Sequence, residues 1–155
     1  MEDIYKVALQ TLQKNKQALV FVSTRASAEK TAETIAKLTE KNLPELENSI
    51  FKAASTPTKQ CKKLSKCVRK GIAFHHAGLL QKQKTLIEDN FRNGTIKIIC
   101  ATPTLAAGLS LPAYRVLVRS LKRYSGRWGM DWIPVLEYLQ MAGRAGRPEY
   151  ESNTI

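Results

Sequence analysis

The feature that most constrains the fold is an alternation of short apolar runs with longer amphipathic segments. The apolar runs read as buried strands and cover residues 18–22, 72–75, 96–101 and 116–120. Segments with apolar residues at helical spacing lie between them, at residues 28–38 and 81–92. Strands that alternate with helices pair in parallel through helical crossovers. The sequence therefore predicts an α/β fold of three layers with a mostly parallel central sheet.

Local signals predict the remaining elements. The chain opens with a helix, since Ile4, Ala8 and Leu12 recur on one helical face. Ser27 is a plausible cap for the helix over residues 28–38. The other predictions are two short helices within residues 43–69, a helix end at Asn93-Gly94, a short helix over 103–107, a loop or hairpin over 121–132, and a helix over 134–143 that starts at Pro134.

The net charge of +12 is placed unevenly along the 155 residues. Residues 48–130 hold 16 Lys and Arg against two acids, Glu88 and Asp89. Such asymmetry favours a polyanionic partner, and nucleic acid is the usual one. The alternatives are solubility or the ion-pair networks of a thermophile, although networks would mix both signs.

Several classes of protein are disfavoured by composition. No run approaches the ~18 apolar residues that cross a membrane, and the opening Met-Glu-Asp is not a signal peptide. Of the three cysteines, Cys100 lies in an apolar run and reads as core. Cys61 and Cys67 lack metal-ligand spacing, so no zinc or other metal site is expected. A reducing, cytoplasmic setting fits best.

Residues 140–148, Gln-Met-Ala-Gly-Arg-Ala-Gly-Arg-Pro, carry the strongest chemical signal. Arg144 and Arg147 are three residues apart, which places them on one helical face. Gly143 and Gly146 leave room for a ligand to approach. The planar donor forks of two arginines match the oxygens of a nucleotide's terminal phosphate. The alternative is an ordinary basic helix end.

Three more segments follow predicted strands, and in open α/β sheets ligands bind beyond the carboxyl ends of strands. Leu-Val-Phe-Val-Ser-Thr-Arg at 19–25 offers hydroxyls and an arginine for phosphate, or simply a helix cap. The paired histidines in Phe-His-His-Ala-Gly-Leu-Leu at 74–80 suggest metal binding or acid–base catalysis, but neither has a supporting carboxylate nearby in sequence. His75 is expected to face inward, and His76 and Gly78 are the better ligand candidates. In Ala-Thr-Pro-Thr-Leu-Ala-Ala-Gly-Leu-Ser-Leu-Pro at 101–112, Thr102 opens a helix suited to phosphate.

Residues 115–127 mix cations with aromatic residues, and Tyr114, Tyr124, Trp128 and Trp132 lie in or beside this segment. Such a mixture can stack on single-stranded bases. More often such aromatic residues pack on a neighbouring domain, which is favoured for Trp132, and both roles stay open for Tyr124 and Trp128.

Taken together and in this order, the four segments resemble motifs IV, IVa, V and VI of superfamily 2 helicases. The branch is similar to the Ski-two-like group, which includes archaeal DNA repair helicases and the helicase part of DNA polymerase theta. Arg-Tyr at 123–124 and Ile-Pro-Val-Leu-Glu-Tyr at 133–138 favour the archaeal repair subgroup. The resemblance covers residues 18–148.

The resemblance implies one RecA-like domain over residues 1–155, the second of two in a larger helicase. The sequence has no Gly-x-x-x-x-Gly-Lys-Ser/Thr phosphate loop and no metal-holding Asp-Glu pair. In these helicases both belong to the first RecA-like domain, which would hold most of the ATP and Mg²⁺. The chain alone is therefore expected to have no ATPase activity.

The resemblance also implies roles for single residues. Arg144 and Arg147 would contact the γ-phosphate, with Arg147 as the arginine finger; Gln140 would couple the nucleotide state, and Gly108 would lie near the nucleotide. The nucleic-acid backbone would be held by Ser23, Arg25, His76, Gly78 and Thr102. The sequence departs from the family at Ser110, where relatives have Asn or Asp that reaches the ribose, and at Lys84, where many have Arg.

The function implied is the motor half of an ATP-dependent helicase that moves 3′-to-5′ on single-stranded DNA. An RNA helicase of the exosome-assisting type shares these motifs. A nucleic-acid-binding module without ATP chemistry is a third possibility, which explains the charge but leaves Arg144 and Arg147 without a purpose.

Overall fold

The structure is a computed structural model that describes residues 3–102, 111, 113–124 and 127–134. Five helices and five strands lie within these residues, and they follow the chain in this order: α1 (Asp3–Gln13), β1 (Ala18–Phe21), α2 (Arg25–Ala36), α3 (Pro44–Lys52), α4 (Lys59–Arg69), β2 (Ile72–His75), α5 (Gln81–Arg92), β3 (Ile98–Ala101), β4 (Arg115–Tyr124) and β5 (Arg127–Pro134).

The strands form one sheet in the order β2-β3-β1-β4-β5. The first four are mutually parallel, and only β5 runs antiparallel to its neighbour β4. Because crossovers between parallel strands are right-handed, the step from β1 to β2 and the step back to β3 place their helices on opposite faces. Helices α2 and α4 pack on β2, and α3 lies beside α4. The predicted three-layer, mostly parallel α/β fold is confirmed and is RecA-like.

Burial of the sheet on both faces explains why its strands read as continuous apolar runs. All four residues are buried in each of β1, β2 and β3. Phe21, Phe74 and Phe91 are the largest side chains of the core. Cys100 is fully buried among them, as its apolar context predicts.

The starts of α2 and β3 differ from the predicted ones for local reasons. Helix α2 begins at Arg25, because the Oγ1 of Thr24 accepts the N–H of Ser27 at 3.1 Å. Thr24 is therefore the cap, and Ser27 lies inside the first turn. Strand β3 begins two residues later than its apolar run, since the N–H of Ile96 still donates to the carbonyl of Asn90, in the last turn of α5.

The segment predicted as a loop or hairpin is a hairpin. Strand β4 pairs with β1 only as far as Val118, opposite Phe21, and its last eight residues, 117–124, pair with β5. Pro134 is the last residue of β5, so the predicted helix does not begin at Pro134. The rest of that prediction, residues 135–143, and the predicted helix over 103–107 lie outside the described residues.

Candidate nucleic-acid interface

The carboxyl ends of three neighbouring strands are aligned at one edge of the sheet. In the strand register Ala101 lies opposite both Phe21 and His75. The chain leaving each strand stays close to its neighbours, because the N–H of Thr102 donates to the carbonyl of His75 at 3.3 Å. All five residues predicted to hold a nucleic-acid backbone follow these ends and come together at this carboxyl edge. They are Ser23, Arg25, His76, Gly78 and Thr102.

The five residues differ in their access to a ligand. Ser23, Arg25 and Gly78 are exposed, and Thr102 is half-buried. The hydroxyl and the guanidinium at the surface of this edge can donate hydrogen bonds to phosphate oxygens. His76 is only 2% exposed, so its ring lies on the core side of the edge. A direct contact of His76 with nucleic acid stays a prediction.

His76 instead holds the turn that carries Gly78. The backbone N–H of Gly78 donates to His76 Nδ1 at 3.0 Å. With Nδ1 accepting, the ring proton is on Nε2, which lies 2.9 Å from Glu29 Oε2. The ring also stacks on Phe74, at 5.6 Å between centroids. The His76 ring therefore connects helix α2 to the turn through hydrogen bonds at both nitrogens. Its carboxylate partner, Glu29, is distant in sequence.

Gly78 is a glycine because neighbouring groups crowd it. A Cβ placed there would lie 3.0 Å from the His76 ring and 3.3 Å from Nη1 of Arg25. Its two backbone groups are already used, since its carbonyl accepts from Gln60 Nε2 at 3.2 Å. Because Gly78 has no Cβ, the position beside the guanidinium of Arg25 stays empty. A polymer backbone can therefore approach that guanidinium closely.

His75 is a structural residue, as its inward position predicts. It is 7% exposed, and its Nε2 lies 2.8 Å from Glu88 Oε2. Burial lowers the pKa of His75 despite the opposing effect of Glu88, which favours a neutral ring that donates to the carboxylate. Within the described residues, no group of three or more His, Cys, Asp or Glu side chains is placed to hold a metal ion.

The first residues of the basic and aromatic segment have a structural role. Arg115 is buried, and its Nη1 donates to Gln10 Oε1 at 2.7 Å. Its guanidinium also lies 5.3 Å from the ring of Tyr114. These two residues therefore fasten β4 to α1 and are not a free stacking surface. The other aromatic residues lie on the hairpin, where the backbone register pairs Arg119 with Trp132, Arg123 with Trp128 and Tyr124 with Arg127.

Sequence reasoning missed two residues of this site. Glu29 holds His76, and Gln60 holds the carbonyl of Gly78. The capping role that the sequence left open for residues 19–25 belongs to Thr24. Glu29 and Gln60 had no local signal, because their partners are 47 and 18 residues away.

The residues predicted to contact nucleotide lie outside the described part of the chain. They are Gly108, Gln140, Arg144 and Arg147, and Ser110 is with them. Their roles remain predictions.

Comparison with known proteins places this arrangement among helicases. The profile of the helicase conserved C-terminal domain matches residues 50–149. The ATP-dependent DNA helicase Hel308 of Methanocella arvoryzae is 44% identical over 97% of this chain, and that of Pyrococcus horikoshii is 48% identical over 90%. The chain spans 21% and 20% of the length of these two relatives. Within the described residues, no helix has the length and apolar character to cross a bilayer. This chain therefore belongs to the helicase conserved C-terminal domain family of superfamily 2, near the archaeal DNA repair helicases.

Proposed function

We propose that this chain is the motor half of an ATP-dependent DNA helicase and moves 3′-to-5′ along single-stranded DNA. The observation that carries the proposal is the gathering of Ser23, Arg25, Gly78 and Thr102 at one sheet edge, where parallel α/β sheets bind their ligands. The relatives' names, which describe ATP-dependent DNA helicases, support it. The domain would span residues 1–155 and work against a first RecA-like domain of the same protein.

The residues that the sequence provides fit one side of a nucleotide. Arg144 and Arg147 supply donors for the outer oxygens of a triphosphate, and Gln140 and Gly108 would complete this side. The resemblance assigns the phosphate loop and the metal-holding acids to the first RecA-like domain. ATP and its Mg²⁺ would therefore be held mainly by that domain, where the phosphoryl transfer chemistry is assembled. Arg147 would act on the γ-phosphate as the arginine finger.

The residues of the carboxyl edge would bind the phosphate backbone of the nucleic acid. The hydroxyls of Ser23 and Thr102 and the guanidinium of Arg25 would bind successive phosphates. His76 and Glu29 would keep the turn at Gly78 in the shape that leaves Arg25 accessible. Because these contacts go to the backbone, the edge itself reads no base sequence.

The second candidate is an RNA helicase of the exosome-assisting type. The edge offers backbone donors that suit both polymers, and a 2′-hydroxyl reader would be needed to tell them apart. The names of the relatives favour DNA. A cytoplasmic setting, expected from the cysteines, stays a prediction.

Binding of the chain to single-stranded DNA should be weak and steeply dependent on salt. Each phosphate contact contributes about 0.7 to the slope of log K against log salt on a single strand. Arg25→Ala should flatten that slope by about 0.7. Fluorescence anisotropy with a labelled thymidine oligomer at several KCl concentrations measures it, and a matched RNA oligomer compares the two polymers.

Arg92→Ala is the matched control, because Arg92 is an exposed arginine in the last turn of α5, at the opposite edge of the sheet. It should leave the slope unchanged. Affinity that does not vary with salt, or equal effects of the two substitutions, would contradict the assignment of the carboxyl edge.

A further inference from the structure

The surface of helix α4 is cationic at every exposed position. These positions are Lys59, Lys62, Lys63, Lys66 and Arg69. The opposite face of the helix is buried, through Cys61, Leu64 and Val68. The helix therefore has one face in the core and one positively charged face, and none of its exposed residues is acidic.

Most of this charge does not stabilise the helix, although Lys66 and Arg69, in the last turn, are favoured by the helix dipole. Cations three and four residues apart repel one another on a helix surface. Lys59 stands in the first turn, where the helix dipole disfavours a positive charge. Only two of the five cations have acidic partners in the described part of the chain: Lys63 lies 3.7 Å from Glu29 and Arg69 lies 3.0 Å from Glu47. Lys59, Lys62 and Lys66 form no salt bridge there.

A groove between α3 and α4 lies against two of the three lysines that form no salt bridge. Its volume is about 280 Å³, and its lining consists of Glu47, Asn48, Phe51, Lys62, Ser65 and Lys66. Phe51 is a partly exposed aromatic residue in this lining. The hydroxyl of Ser65 is engaged, since it donates to the carbonyl of Cys61 at 2.8 Å. The charge of Glu47, the single acid in the groove, is offset by Arg69.

The cationic face is continuous with the carboxyl edge of the sheet. Gln60, in the first turn of α4, donates to the carbonyl of Gly78 at 3.2 Å. From there α4 runs antiparallel to β2 and away from the edge, over about 16 Å at 1.5 Å per residue. A polymer that leaves Arg25 and Gly78 in this direction meets Lys59 first and then the groove at Lys62 and Lys66.

We propose that the α3–α4 groove is a second binding site for single-stranded nucleic acid, with phosphates on Lys62 and Lys66 and a base against Phe51. A single strand fits the groove better than a duplex, because an aromatic side chain stacks on bases that are free of their partners. The site extends the strand's path beyond the carboxyl edge. The inference rests on the proposed nucleic-acid function, and the experiment separates the failure of one from the failure of the other.

The test measures binding of the chain to a labelled 20-nucleotide thymidine oligomer and to a duplex of equal length, across a series of KCl concentrations. The double variant Lys62→Gln/Lys66→Gln should flatten the single-strand salt slope by about 1.4, at about 0.7 for each phosphate contact. Lys6→Gln/Lys37→Gln removes two exposed lysines from α1 and from the end of α2, and it should leave the slope unchanged. Phe51→Leu should weaken single-strand binding by about fivefold or more and leave duplex binding as it was.

Thermal melting of each variant establishes that the fold is intact. Equal flattening by the two double variants would overturn the site, because the lysines would then act only through net charge. An intact Phe51→Leu protein with unchanged single-strand affinity would also overturn it, whether or not the lysines affect the duplex. A wild-type chain that does not bind the oligomer at low salt would overturn this site and the proposed function together.

Discussion

In a full-length enzyme that contains this chain, Arg147→Ala should lower DNA-stimulated ATP hydrolysis by about 10³- to 10⁵-fold while nucleotide still binds. An arginine that meets charge developing on the γ-phosphate acts mainly in the transition state, so turnover falls further than affinity. The fall would be smaller if product release limits turnover in the motor. Steady-state ATPase assays and nucleotide binding on the same preparation measure the two effects.

Arg147→Lys is the informative companion to this variant. A lysine keeps the charge but lacks the planar fork, so it should restore little of the lost turnover. If Arg147 were only a cation at a helix end, Arg147→Ala would cost about 0.3–1 kcal/mol of stability and leave turnover near normal. Turnover and melting temperature of one variant therefore decide between the two roles.

His76→Ala should destabilise the chain by about 2–4 kcal/mol. The ring is almost fully buried, stacks on Phe74, and bonds both Glu29 and the N–H of Gly78, so the substitution leaves a cavity and removes two hydrogen bonds. Combining it with Glu29→Ala should show a coupling of more than about 1 kcal/mol, because a hydrogen bond to a charged group connects the two side chains. Urea unfolding, followed by circular dichroism, gives the free energies of unfolding of the wild type, the two single variants and the double variant.

Glu33→Ala provides the control for that cycle. Glu33 stands one helical turn beyond Glu29 on α2, and no hydrogen bond or salt bridge from it to His76 is seen in the structure. Its effect should add to that of His76→Ala within about 0.3–0.5 kcal/mol. Coupling of similar size in both cycles would mean that His76 responds to the charge of α2 in general, and that the contact with Glu29 is not what holds the turn.

Sequence patterns predicted the elements whose signals are local. The limits of α5 match the prediction because Gly94 provides the positive φ that ends it, and β2 matches because all four of its residues are buried. The start of α2 differs from the predicted one although its signal was also local. Ser27 and Thr24 are both good caps by type, and only the backbone geometry decides that the hydroxyl of Thr24 receives the bond.

The interior of the candidate site depended on contacts between distant residues. The order of the strands brings Ser23, Arg25 and Thr102 to one edge, and this followed from parallel pairing alone. The inward position of His76 did not follow, because its partner Glu29 lies on a helix 47 residues earlier. The same limit hid Gln60, whose bond to Gly78 joins α4 to the edge.

A nuclear magnetic resonance titration of the chain with a short thymidine oligomer tests the central claim most directly. The account predicts that the largest shifts of backbone amide signals occur at the carboxyl edge, at Ser23, Arg25, Gly78 and Thr102. Gln17, Gly71 and Lys97, which lie at the amino ends of the same strands, should shift little. Shifts concentrated at those amino ends, with the carboxyl edge unchanged, would contradict the account.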